Sequence, residues 1–139
     1  MNAIFEVFEK MFFVFLEPVD EDIRYDMIAS INFTGPTKGT IDVLLTSDLA
    51  SAMVQNMLSV DDDGITPKLI EDCVKESVNM IAGNFLQKYD STKVFDLSIP
   101  AFKKESAEFS AQEATAGEAR INLCFEASEG LLGVRMSFS

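Results

Sequence analysis

Five stretches of this chain alternate apolar and polar residues with a period of two, and nothing else in the sequence limits its fold as much. Ile23, Tyr25, Met27, Ala29, Ile31 and Phe33 alternate with Arg24, Asp26, Ile28, Ser30 and Asn32. Ile41, Val43 and Leu45 repeat the pattern within residues 40–46, and Phe95, Leu97 and Ile99 within 93–99, stopped by Pro100. Ile121, Leu123 and Phe125 form a fourth run; Leu132, Val134, Met136 and Phe138 form a fifth. A period of two marks a strand with one apolar face. Thr34-Gly35-Pro36-Thr37-Lys38-Gly39 and Ser128-Glu129-Gly130 carry the turn residues of hairpins. Strands joined this way are antiparallel, and their apolar faces need a cover.

Three helical segments can supply it. Residues 2–16 place Ile4, Phe8, Met11, Phe12 and Phe15 on one face and end before Pro18, with Phe13 left in the middle of the polar face. Residues 47–58 start at Ser47, a good N-cap, and space Leu49, Met53, Val54 and Met57 helically. The longest begins at Thr66-Pro67, a hydroxyl cap followed by proline at the first helical position, and runs to Lys88 or Tyr89. Residues 103–118 show no period and are expected to form a long loop. The expected fold is α+β: a largely antiparallel sheet covered on one face by helices, with a weak internal two-fold repeat, in a single domain over residues 1–139.

Composition removes several function classes. The net charge of -12 disfavours nucleic acid and anionic membranes as partners. The apolar run Met11–Leu16 is far too short to span a bilayer, and the residues before it, with Glu6 and Glu9, are not those of a signal peptide. There is no histidine, and Cys73 and Cys124 lack metal-ligand spacing; two distant cysteines fit a reducing cytoplasm. Asp61-Asp62-Asp63-Gly64 lacks the ligand pattern of a calcium loop and reads as a solvated turn.

One constellation is left. At about 100° per residue, Ile70, Val74, Ile81 and Phe85 share one face of the longest helix, and Asp72, Glu76, Asn79 and Gly83 share the opposite one. Any amphipathic helix has a polar side, but this one is built from poor helix residues. Asparagine is mediocre inside a helix, and Gly83 costs about 1 kcal/mol relative to alanine. Glycine one turn past Asn79 lets another molecule approach the backbone. Met80 and Leu86 give the stripe apolar borders. These residues cannot form a nucleophilic triad, and side-by-side carboxylates do not suit glycoside hydrolysis. A carboxamide can orient a water for in-line attack on phosphorus.

Asp72-x-x-x-Glu76-x-x-Asn79, followed by Pro100, resembles the signature of the CheC/CheX/FliY family of chemotaxis phosphatases. The resemblance implies a phosphatase acting on a phosphorylated CheY-like receiver. Glu76 would anchor to the receiver's lysine and Asn79 would orient water against the phosphoaspartate. Asp72, Gly83, Met80 and Pro100 would support docking. Mg²⁺ would belong to the receiver, and this chain would need no cofactor of its own. Aligning the half-repeats sets Glu6, Glu9 and Phe13 against Glu76, Asn79 and Gly83, which implies a decayed first site, a CheX-like protein and a homodimer that Phe13 could serve. Two other readings are open: a non-catalytic module that docks a receiver or flagellar-switch component, and a structural domain without a phosphorylated partner.

Overall fold

A computed structural model describes residues 2–12, 14–89, 95–110 and 119–138. The elements run α1 (Asn2–Phe12), β1 (Glu17–Val19), β2 (Ile23–Thr34), β3 (Gly39–Leu45), α2 (Ser47–Leu58), a 3₁₀ turn (Asp62–Gly64), α3 (Pro67–Tyr89), β4 (Asp96–Leu97), β5 (Ala101–Phe109), β6 (Ala119–Ala127) and β7 (Gly130–Phe138). The strands form one seven-stranded sheet in the order β1-β6-β7-β3-β2-β4, with β5 pairing β2 along the same edge as β4. All pairings are antiparallel. Exchanging β1, β2 and β3 for β5, β6 and β7 turns the order β1-β6-β7-β3-β2-β5 into its own reverse. The internal repeat is therefore written into the topology, with its axis between β3 and β7.

The helices lie on one face. Ile31, Phe33, Val43, Leu45 and Val134 on the sheet meet Ile4, Phe8, Leu49, Met53, Val74 and Ile81 on the helices in one buried cluster. Each such side chain contributes about 1.5–3 kcal/mol on burial, which is why the period-two runs could dictate the architecture. The opposite face holds a smaller cluster of Ile23, Tyr25, Leu44, Phe109 and Cys124. Gly133 floors it: a Cβ there would stand 2.6 Å from the Phe109 ring. Arg135 lies over the same ring, 5.9 Å from its centroid, and pairs through Nε with Asp42 at 2.7 Å.

Several expectations require correction. α1 stops at Phe12 rather than running to residue 16. The Val14 N–H turns back to the Phe8 carbonyl at 2.8 Å, a helix-ending bond, and Asn56 Nδ2 donates to the Phe12 carbonyl at 2.9 Å. The chain then becomes β1, an unforeseen edge strand, so Val14 and Leu16 take the buried places while Met11 and Phe15 are exposed. Phe13 lies outside the described residues.

Thr46, not Ser47, caps α2: its hydroxyl accepts from the Leu49 N–H, and Ser47 N–H donates to Asp26 instead. Met57, placed with the apolar side of α2, is exposed. The strand expected at 93–99 is only Asp96–Leu97, because Ser98 ends the ladder: its N–H donates to the Asn32 carbonyl and its hydroxyl accepts from the Asn32 N–H. Phe95 is half-buried against Phe33, but Leu97 and Ile99 are exposed, Ile99 at 90%. Lys93 and Val94 lie outside the described residues.

Residues 101–109, within and just before the expected loop, are the strand β5. Its register with β2 slips between Tyr25↔Ala107 and Met27↔Lys104, so β5 carries one extra residue at a bulge and its alternation changes phase there. Residues 111–118 lie outside the described residues. Ile121 is half-exposed because β1 reaches only as far as Cys124 on that side of β6.

Both cysteines are free and buried. Burial, with the Glu76 carboxylate adding repulsion, pushes the Cys73 thiol up from 9.0 to about 12. Burial and the Asp22 carboxylate push Cys124 up to about 11. The folded state therefore holds protons that the unfolded chain releases above its thiol pKa near 9. That stability is complete below pH 9 and is lost as pH rises toward 12, at up to about 1.4 kcal/mol per pH unit for each thiol. Urea unfolding of wild type should weaken more steeply between pH 9 and 10 than that of Cys73→Ala; equal slopes would show that Cys73 does not carry the effect.

Candidate functional site

The site is built on α3, and capping fixes where that helix begins. The Thr66 hydroxyl accepts from the Leu69 N–H at 3.2 Å, its carbonyl accepts from the Ile70 N–H at 3.1 Å, and Pro67 follows. From there Cys73, Val74, Ser77, Val78, Ile81 and Ala82 turn into the core. α3 lies against β2, β3 and β5 and is flanked by α1 and α2. Ser77, fully buried, satisfies its hydroxyl on the Val74 carbonyl at 2.6 Å. Ile70 and Phe85, expected on the core face, are half-buried at its margins, Phe85 against the Phe138 ring.

The opposite stripe faces solvent. Asp72, Glu76 and Gly83 are exposed and Asn79 is half-buried. Glu76 and Asn79 stand about 4.5 Å apart along the axis on neighbouring turns. Neither side chain has a hydrogen bond or ion pair among the described residues. Asn79 thus keeps two N–H donors and a carbonyl acceptor available, and Glu76 a whole carboxylate. Asp72 is engaged: Lys68 Nζ lies 2.9 Å from its Oδ1. That pair is exposed and screened by solvent, so Asp72 can exchange Lys68 for another cation.

At Gly83 the surface is open, and a Cβ built there would find nothing within 4 Å. The glycine is therefore not demanded by packing within this chain. Met80 is half-buried and packs on the core margin, as expected of a border. Leu86, expected as the other border, is buried in the core. Pro100 is half-buried at the entry to β5, and no bond among the described residues ties it to α3.

Two residues at the site had no assigned role in the sequence. Lys68 was legible from its spacing four residues before Asp72. Asn84 was not: its Nδ2 donates to the Met80 carbonyl at 2.9 Å, holding the backbone between Asn79 and the glycine. On α1, Glu9 is exposed and Glu6 half-buried, while Phe13, the expected counterpart of Gly83, is outside the described residues.

The arrangement carries no nucleophile. Cys73, one turn before Glu76, stays a neutral thiol because burial and Glu76 both resist its ionisation. Among the described residues no group of three or more His, Cys, Asp or Glu is placed to hold a metal ion. No helix there is long and apolar enough to cross a membrane. What remains is a helical surface offering a carboxylate and a carboxamide that are unpartnered among the described residues, with a gap beside them.

If the gap at Gly83 is open in the free protein, Gly83→Ala should stabilise it by about 1 kcal/mol, since alanine favours the helix and meets no obstacle. A lower unfolding free energy in urea would show that the notch is filled.

A family model described as chemotaxis phosphatase CheX matches residues 27–126. No curated protein sequence matches. Among solved structures, a putative chemotaxis protein from Desulfovibrio vulgaris Hildenborough is 24% identical, with a TM-score of 0.78 over 99% of this chain and 92% of its own. The chemotaxis protein CheX from Vibrio vulnificus is 22% identical, with a TM-score of 0.77 over 99% and 92%. A CheX–CheY–BeF3–Mg²⁺ complex from Borrelia burgdorferi matches at 20% identity and a TM-score of 0.74 over 99% and 93%.

Proposed function

Because this chain belongs to the chemotaxis phosphatase CheX family, we propose that it hydrolyses the aspartyl phosphate of a CheY-like receiver through the exposed stripe of α3. The observation that carries this reading is the placing of Glu76 and Asn79, neither bonded among the described residues, on one helix face beside the clearance at Gly83. Exposed side chains of an isolated protein are ordinarily hydrated, and a partner's groups can replace that water at these two.

In this reading Glu76 anchors the receiver through an ammonium group in the receiver's site. A lysine carries that charge on a flexible stem, and a carboxylate is its natural partner. Asn79 then enters the site. Its carbonyl accepts from a water while its N–H₂ donates toward the phosphoryl oxygens, holding the water in line with the phosphorus–oxygen bond. The gap at Gly83 lets the receiver backbone come close enough for that reach. Asp72 exchanges Lys68 for a receiver cation, and Met80 and Pro100 take part in docking. The water attacks phosphorus, the aspartate carboxylate leaves and inorganic phosphate forms, so no intermediate is bonded to this chain.

The divalent ion belongs to the receiver. In the Borrelia burgdorferi complex, BeF3, the stand-in for a phosphoryl group, and Mg²⁺ accompany CheX and CheY. Catalysis here is positioning and electrostatics, which can supply several powers of ten in rate. The same reading makes the protein a cytoplasmic homodimer with one working helix per chain.

The test is the decay of a ³²P-labelled CheY-like receiver. Wild type should shorten the phosphate lifetime; Asn79→Ala should lose the acceleration by roughly 100-fold or more, the scale of removing one transition-state donor. Glu76→Ala should raise the concentration of receiver needed for half-maximal rate. A receiver that binds this chain in a phosphate-dependent way without faster decay would instead make it a docking module. Acceleration intact in both variants would overturn the assignment of the site.

A further inference from the structure

A groove runs between residues 15–17 and the end of β6 with its turn into β7. It encloses about 480 Å³ and is lined by Phe15, Leu16, Glu17, Glu126, Ala127 and Ser128. We propose that this groove docks an extended basic segment of a partner protein, with an apolar side chain against Phe15 and Lys or Arg side chains between Glu17 and Glu126.

Phe15 is the first reason. It is 70% exposed, while its neighbours Val14 and Leu16 are buried. A phenylalanine left in water at the rim of a concave site offers an apolar contact that the fold does not use.

The second reason is a conflict in the sheet. Glu17 and Glu126 stand directly opposite each other in the β1–β6 register, and both are exposed. Like charges in that position repel. Neither has an ion pair among the described residues, and Asp20, Glu21 and Asp22, all exposed, extend the negative field beyond β1. A threonine or lysine at either position would remove the repulsion, yet the carboxylates flank the exposed ring. A cationic segment satisfies both features at once: its charge relieves the pair and its apolar residue covers Phe15.

Side-chain recognition is favoured over strand addition. β1 is an edge strand of three residues with Pro18 at its centre, and proline offers no N–H to an added strand. A second copy of this chain is a poor occupant. Its exposed neighbouring lysines, Lys103 and Lys104, lie on β5 at the other end of the sheet order from β1, and Lys103 already pairs with Glu105 at 3.2 Å.

The experiment titrates the ¹⁵N-labelled full chain with the peptide acetyl-Leu-Lys-Arg-Phe-Leu-Lys-amide and follows amide shifts. Saturable shifts confined to residues 14–19 and 125–129 are expected. The double variant E17Q/E126Q, and separately Phe15→Ala, should each weaken binding at least tenfold, while D61N/D63N, which removes the same charge at the α2–α3 turn, leaves it unchanged. E17Q alone should raise the thermal midpoint by relieving the repulsion. Equal weakening by both charge-neutralising pairs, shifts spread over the acidic surface, no saturable shift, self-association through the groove, or a lowered midpoint in E17Q would each overturn the proposal.

Discussion

The structure depends on how α3 is seated. Its buried stripe is clamped by β2 and β3 beneath and by α1 and α2 on either side. Val74, Val78, Ile81 and Leu86 alone stabilise that seat by about 1.5–3 kcal/mol each. Against this, a glycine and an asparagine on the outer face cost about 1–2 kcal/mol of helix propensity. The burial term wins by a wide margin, so the outer face is free to carry residues chosen for something other than helix stability. The helix cannot roll without exposing its core side, and Glu76 and Asn79 are held outward for the same reason.

Charge then separates what the stripe can do from what it cannot. The thiol nearest to it is kept protonated by burial and by Glu76 itself, so the chemistry does not run through Cys73. The Lys68–Asp72 pair is exposed and weak, which leaves Asp72 exchangeable. The remaining groups are of a kind that can grip a cation and orient a water. This division of labour agrees with membership of a phosphatase family whose matched region, residues 27–126, includes the whole of α3.

The parts of the fold legible in the sequence were those in which one face is buried without interruption. β3, β7 and the Met27–Phe33 part of β2 followed from alternation because every second residue there meets the helices, whereas Ile23 and Tyr25, expected on the same face, join the cluster on the opposite one. The stripe on α3 followed from helical spacing because the helix runs unbroken over 23 residues. Legibility failed where a local hydrogen bond overrode the pattern. Nothing in the composition of 101–109 marks a strand: it has a single partner strand for most of its length, polar residues on both faces, and a bulge that reverses its phase near Glu105. The end of α1 was misplaced because Phe15 continues the helical pattern, whereas the stop is set by a bond from Val14 and a cap from Asn56, 44 residues away. Leu86 was misread because its helical angle matches the outer stripe, and only tertiary contacts bury it. The shared stripe of Glu76 and Asn79 was legible as a spacing; that neither has a partner among the described residues was visible only in three dimensions.

The most direct test of this account separates docking from hydrolysis at one residue. The affinity of wild type and Asn79→Ala for a beryllofluoride-activated CheY-like receiver would be measured together with the rate of phosphate loss from the phosphorylated receiver at saturating concentrations of each protein. The account predicts that Asn79→Ala binds within about threefold of wild type and leaves the receiver to decay at its own rate, because the carboxamide positions water and Glu76 supplies the grip. An Asn79→Ala protein that still accelerates decay at saturation would contradict it.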